Sequence, residues 1–231
     1  MMLETAVVLA GGLGTRLAPL TNKCPKPLVS INEQAFIRYL LHPLREQGIK
    51  RVIVLTGYLS DQFEQHFANH PVEGMEVICE VGELEWDTGK RLSEASTLLP
   101  AHFLLLYADN YWVPNIKEMY KHFVTCKKPV MVTVFDNRDG TAEYGAENNI
   151  LVNIQNGDVE KYNYDRSTQT TMNGVDIGFF IVSKHCVPKP VDTLYSLRDW
   201  MKGLIDNQNM SAYVTPKQYY FITTPYLKLM F

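Results

Sequence analysis

Six apolar runs of strand type punctuate the chain, at residues 6–10, 51–56, 75–81, 103–108, 130–135 and 178–182. Between them apolar positions recur at helical spacing. Phe36, Tyr39, Leu40 and Leu44 predict one helix, which Pro43 is expected to end or kink. Phe63 and Phe67 predict a second, starting after Ser60 as its cap. A third follows Gly89 with Leu92, Ala95 and Leu99 on one side, and a fourth carries Ile116, Tyr120 and Phe123 on one face. Such strand-helix alternation predicts an α/β fold, with helices on both faces of a parallel sheet. Ligands of such sheets bind outside the carboxyl ends of the strands, so the segments directly after strands are where chemistry is expected.

Two of those segments stand out. In "VVLAGGLGTRLAPL" (7–20) an apolar run leads straight into Gly11, Gly12, Gly14, Thr15 and Arg16. Glycines let the backbone turn sharply and approach a ligand closely, and the N–H groups of such a loop suit an anion. Leu17 stands where the dinucleotide fingerprint has its third glycine, and the Walker ending Gly-Lys-Ser/Thr is absent, so a phosphorylated ligand of another kind is expected. In "LLLYADNYW" (104–112) an apolar run leads into Asp109. That aspartate either makes a turn with Asn110 or offers Mg²⁺ a carboxylate, since this ion binds through one or two carboxylates plus substrate phosphates. Beside an anion loop the second role is the expected one.

Composition narrows the choice. The 231 residues are read as a single domain over 1–231, with no composition shift to mark a second. A net charge of −3 and a pI near 6.1 leave no basic face for nucleic acid. Cys24, Cys79, Cys126 and Cys186 lie far apart without a C-x-x-C pair, so buried free thiols are expected rather than disulfides or a zinc site. No apolar run approaches the ~20 residues of a membrane helix. The N-terminus has no basic segment followed by a long apolar one, and the expected location is the cytoplasm.

"LAGGLGTRLAPLT" with "PKPL" resembles the signature of the sugar-1-phosphate nucleotidyltransferases, the nucleoside-diphosphate-sugar pyrophosphorylases. The resemblance continues in family order through "GYLSDQF" (57–63), "EWDTGKRLSEA" (85–95), "YADNYW" (107–112), "YG" (144–145), "VEKY" (159–162) and "MNGVDIGFFIV" (172–182). Short bacterial members that activate mannose, heptose or N-acetylmuramate phosphates look most similar, and "ADNY" is also similar to the phosphocholine cytidylyltransferases. The resemblance implies a Rossmann-like three-layer α/β domain with a mixed, mainly parallel sheet. It also implies Mg²⁺-dependent joining of a nucleoside triphosphate to a sugar 1-phosphate, with the sugar's phosphate oxygen attacking the α-phosphorus and pyrophosphate leaving. No protein nucleophile is needed, and catalysis is positioning plus charge stabilisation.

Carried over residue by residue, the resemblance makes Arg16, Lys26 and Asp109 the catalytic set, Asp109 holding the metal. Leu9, Ala10, Gly11, Gly12, Gly14, Thr15, Thr88 and Gly89 would hold the nucleotide, and Tyr144, Gly145, Glu160, Lys161 and Asp176 the sugar phosphate. Two departures matter. Lys90 replaces the last glycine of the family's "GTGG" loop, so Asp87 and Lys90 either contact a different substrate or pair with each other. Phe221 stands where relatives carry a second metal carboxylate in "YDIGTPE". Either Asp109 and phosphates hold the metal alone, another carboxylate such as Asp176 substitutes, or the chain binds nucleotide without turnover as a regulatory sensor. A dinucleotide-dependent oxidoreductase is a more distant reading. A monomer or homodimer working on small molecules is expected, in nucleotide-sugar synthesis for surface polysaccharide.

Overall fold

The computed structural model of the chain describes residues 3–142, 145, 147–163, 172–190 and 196–222. Tyr144, the Thr-Thr-Pro segment at 223–225 and the apolar tail at 226–231 lie outside these residues.

β1 (Thr5–Leu9) is buried along its whole length. Short 3-10 turns at Thr15–Leu17, Leu20–Asn22 and Lys26–Leu28 then lead to a hairpin of β2 (Ser30–Ile31) and β3 (Gln34–Ala35). There follow α1 (Phe36–Glu46), β4 (Arg51–Thr56), α2 (Ser60–Asn69), β5 (Glu76–Val81) and α3 (Thr88–Glu94), the last extended by a 3-10 turn at Ala95–Leu98. β6 (His102–Tyr107), β7 (Asn110–Tyr111), α4 (Ile116–Cys126) and β8 (Val130–Asp136) continue the chain. The rest is β9 (Ile150–Val152), β10 (Val159–Tyr162), β11 (Gly174–Ser183), α5 (Leu197–Asp206), β12 (Met210–Thr215) and β13 (Tyr220–Phe221).

One sheet runs in the order β10-β9-β11-β6-β1-β4-β5, with β8 paired to β11 and β12 to β8. β5, β4, β1 and β6 are mutually parallel, whereas β11 lies antiparallel to β6, β8 and β9, and β10 antiparallel to β9. All strands of this sheet except β10 and β11 therefore point the same way, which is the mixed, mainly parallel arrangement expected. The six apolar runs are β1, β4, β5, β6, β8 and β11.

Side-chain alternation divides the core between two faces. Ala6, Val8, Leu104 and Leu106 pack with α1, α2 and α4, while Val7, Leu9, Phe103 and Leu105 pack with α3 and α5. Three layers result.

Two expectations about helices are corrected. α1 runs through Pro43 to Glu46 instead of ending there. A proline inside a helix costs about 3 kcal/mol, but burying Leu40, Leu41 and Leu44 returns about 1.5–3 kcal/mol each and holds the turn in place. Ser60 is the first residue of α2, not its cap. Leu59 takes the boundary position at φ 52°, no side chain caps the helix, and Asp61 in the first turn faces the positive end of the helix dipole.

Candidate functional site

β1 has β4 on one side and β6 on the other, so the strand order reverses about it, the kind of point beyond the strands' carboxyl ends where ligands bind in such sheets. The glycine loop leaves β1 at this point. Gly12, Leu13, Thr15 and Arg16 are exposed on it. Gly14 adopts φ 64°, and the Thr21 hydroxyl donates to its carbonyl at 2.9 Å. A Cβ at Gly14 would stand 3.0 Å from Lys26 Cβ, so the loop folds directly onto that lysine.

Pro25 and Pro27 restrict the backbone around Lys26, which begins a 3-10 turn and is buried. Its Nζ stands 2.6 Å from Asp109 Oδ2, across 83 positions of sequence. Asp109 follows β6 directly, and the Ala108 amide donates to the Leu9 carbonyl at 3.3 Å, tying the two strand ends together. Three parts of the expected site thus meet: the loop, a buried ammonium and a carboxylate that is 28 % exposed.

Phe221 lies on the strand that pairs with the segment just after Asp109. β13 pairs with β7, setting Phe221 opposite Asn110, and the Ile222 amide donates to the Asp109 carbonyl. The Phe221 ring is buried against Tyr219 and has no group to bind a metal.

Asp176 sits on β11 and is also buried. It accepts from the Tyr162 hydroxyl at 2.7 Å and from the Gly178 amide at 2.7 Å, while its own amide donates to Asn149 Oδ1. Asn110 donates to the Ile177 carbonyl at 2.9 Å, which joins the segment after Asp109 to this carboxylate's strand. Glu160 and Lys161 are exposed on β10, where Asn153 donates to Glu160 at 2.8 Å. Gly145 takes φ 67° and bridges Ala142.

Asp87 and Lys90 do not pair with each other. Asp87 caps α3, accepting from the Thr88 amide and hydroxyl, while Lys90 is buried, bonds Glu94 one turn on and lies 5.4 Å from the Trp86 ring centroid. Thr88 is spent on this cap; Gly89 is buried beside it. Arg91, which the sequence reading passed over, is 3 % exposed at the carboxyl ends of the strands. It donates to the carbonyls of Thr56 and Glu83, each at 2.6 Å. Its only trace in the sequence is a set of glycines, Gly11, Gly57 and Gly82, each placed soon after a strand.

The four cysteines are free and half-buried rather than fully buried. Burial raises the thiols of Cys24, Cys79 and Cys186, that of Cys79 to about 11 and that of Cys186 to about 12. Among the described residues no group of three or more His, Cys, Asp and Glu side chains could hold a metal ion. A lone Asp109 facing a phosphate loop fits an ion that takes most of its ligands from water and substrate phosphate.

Residues 5–161 match the family model for nucleotidyl transferases. The chain is 48% identical over 59 residues to a choline-phosphate cytidylyltransferase of Streptococcus pneumoniae, 26% of each chain being aligned. It is 27% identical over 123 residues to a D-glycero-alpha-D-manno-heptose 1-phosphate guanylyltransferase of Aneurinibacillus thermoaerophilus, 53% of each. It thus spans about a quarter to a half of the length of these curated relatives. The fold is similar to that of HddC from Yersinia pseudotuberculosis, with a TM-score of 0.79 and 20% identity over 98% of this chain and 96% of that one. With a family model covering more than half of its residues, this chain belongs to the nucleotidyl transferase family.

Proposed function

We propose that the protein joins a nucleoside triphosphate to the phosphate of a small acceptor, a sugar 1-phosphate in the first instance, and releases pyrophosphate. The observation that carries this reading is the Lys26–Asp109 pair at 2.6 Å, set against the glycine loop at the carboxyl ends of β1 and β6. Backbone N–H groups of Gly11, Gly12, Gly14 and Thr15 hold the triphosphate. Arg16, exposed on the same loop, offsets charge on the leaving pyrophosphate. Lys26 lies where the α-phosphate and the attacking phosphate crowd together, and its compact ammonium offsets their charge. Thr88 and Gly89 border the nucleoside. Gly145, Glu160, Lys161 and Asp176 border the acceptor.

Asp109 is the residue that would hold Mg²⁺, which when bound spreads the negative charge of the reacting phosphates. The second half of the site is aligned for acceptor binding by the Tyr162 hydroxyl and the Gly178 amide, which fix the Asp176 carboxylate, while Asn149 holds the Asp176 amide. We place the reaction in the cytoplasm, carried out by a single nucleotidyltransferase domain over residues 1–231, as monomer or homodimer, in nucleotide-sugar synthesis for surface polysaccharide. The names of the two relatives given above allow a non-sugar phosphate such as phosphocholine as the alternative acceptor.

Phe221 favours a second reading, in which the chain binds nucleotide but does not turn it over. Pyrophosphate release separates the two. The protein with Mg²⁺ is offered each of the five common nucleoside triphosphates against a panel of sugar 1-phosphates and phosphocholine. Release with one pair establishes the transferase and its substrates. Silence across the panel, in folded protein that binds a triphosphate, establishes the sensor.

A further inference from the structure

Arg91 is a buried cation, and among the described residues it forms no ion pair. Among the described residues the partners of its guanidinium are all backbone oxygens: Nη1 donates to Thr56, and Nη2 to Glu83 and, at 3.4 Å, Leu84. Asp87 and Glu85 act on it through space alone, and burial outweighs them, lowering its pKa from the usual arginine value. Arginine nevertheless stays charged in proteins. Carbonyl dipoles share a buried charge but do not neutralise it, so the site keeps a surplus of positive potential.

The guanidinium lies where three glycines leave room. A Cβ on Gly11, Gly57 or Gly82 would overlap it, and these residues follow β1, β4 and β5, which are neighbours in the sheet. Gly11 opens the glycine loop. The charge of Arg91 therefore sits against the backbone at the start of the loop that faces the proposed triphosphate, whereas Lys26 meets the loop at Gly14. Interactions of buried charges are screened by salt far less than those of exposed ones such as Arg16.

We infer that Arg91 is an electrostatic positioning residue for the nucleotide: its buried charge, seated against Gly11, Gly57 and Gly82, strengthens the anion-binding loop in proportion to the number of phosphates bound. The role rests on the triphosphate reading of the loop. It differs from that of a mere strut between α3 and the strand ends, because a strut would affect every ligand alike.

The test measures dissociation constants for a nucleoside and its mono-, di- and triphosphate, choosing the base whose triphosphate the unaltered protein binds most tightly. Arg91→Met removes the charge, Arg91→Lys keeps it without the planar fork, and Arg91→Gln keeps amide donors for the carbonyls without charge. Thermal unfolding checks the fold of each. The expected result is about a tenfold loss of triphosphate affinity in the Met and Gln variants. The loss should shrink through di- and monophosphate to none for the nucleoside, and Lys should recover most of it. If Met does not fold, the contrast between Lys and Gln decides. Equal losses for all four ligands, or no loss, overturn the role of Arg91 while leaving the site intact. Failure of the unaltered protein to bind any triphosphate overturns the site reading itself, and this role with it.

Discussion

The Ile222 amide donates to the Asp109 carbonyl at 2.9 Å, so a segment over a hundred residues downstream steadies the backbone that presents the candidate metal carboxylate. Phe221, next to it, packs its ring 4.9 Å from that of Tyr219, centroid to centroid, at 72°. The aromatic side chain therefore contributes stability at a position where a carboxylate would contribute charge. Phe221→Ala should cost about 3–5 kcal/mol of unfolding free energy, the usual range for emptying a buried phenylalanine site. Urea unfolding measures it, and a cost below about 1 kcal/mol would show that the ring is not packed as described.

Lys26 and Asp109 should be needed for turnover rather than for folding. Asp109→Asn and Lys26→Met should each reduce pyrophosphate release on the order of 10²–10³-fold, the scale of losing one charge-stabilising group. Circular dichroism should stay unchanged. Full activity in both variants would sink the assignment.

Gly178 adopts φ 79°, and a Cβ there would overlap the side chains of Asn110 and Tyr107. Gly74 also takes a positive φ, 73°, but with nothing within 4 Å. Gly178→Ala should therefore lower the thermal midpoint clearly more than Gly74→Ala, which pays only backbone strain of order 1 kcal/mol. Equal shifts would contradict the packing at the Asn110–Ile177 junction.

His66 is half-buried on α2, its Nε2 without a hydrogen-bond partner among the described residues, and faces His70 and Arg38. Burial, then these two groups, lowers its pKa below the usual 6.5. The unfolded chain thus takes up a proton that the folded chain refuses between 6.5 and that lower value. Stability from this group is complete above pH 6.5 and is lost as pH falls below it. Replacing His66 by Gln should shrink the drop in unfolding free energy between pH 7 and pH 5.5. An unchanged drop would remove His66 as its source.

Cys79 and Cys186, with thiols raised to about 11 and about 12, hold almost no thiolate at pH 8. Iodoacetamide should label them slowly in the native protein and quickly after unfolding, by mass spectrometry. Rapid native labelling of Cys186 would show that its bond to the Ser183 carbonyl opens readily.

Strands buried on both faces were the most legible elements, because a continuous apolar run such as that of β1 or β6 has no other good solution in a protein of this size. β9, β10 and β12 were not read as strands; β9 and β10 are only three and four residues long, and in β12 Ser211 interrupts the apolar run. Pro43 misled for a physical reason: a local rule about a missing N–H was outweighed by the buried face of α1. Asp87 and Lys90 were legible as unusual, but not as to partner. Capping of the Thr88 amide and the one-turn spacing to Glu94 offered each a nearer mate.

The order of residues by itself determined that a glycine loop follows β1, that a lysine lies between two prolines after it, and that an aspartate ends an apolar strand. These are local facts, set by backbone freedom, ring constraint and burial, and they identify phosphate chemistry. Tertiary structure alone decided that Lys26 reaches Asp109, that Phe221 pairs with Asn110, and that Arg91 lies against Gly11. Each of these depends on which strands became neighbours. Strand order follows from packing two apolar faces over the whole sheet, which no short window of sequence contains.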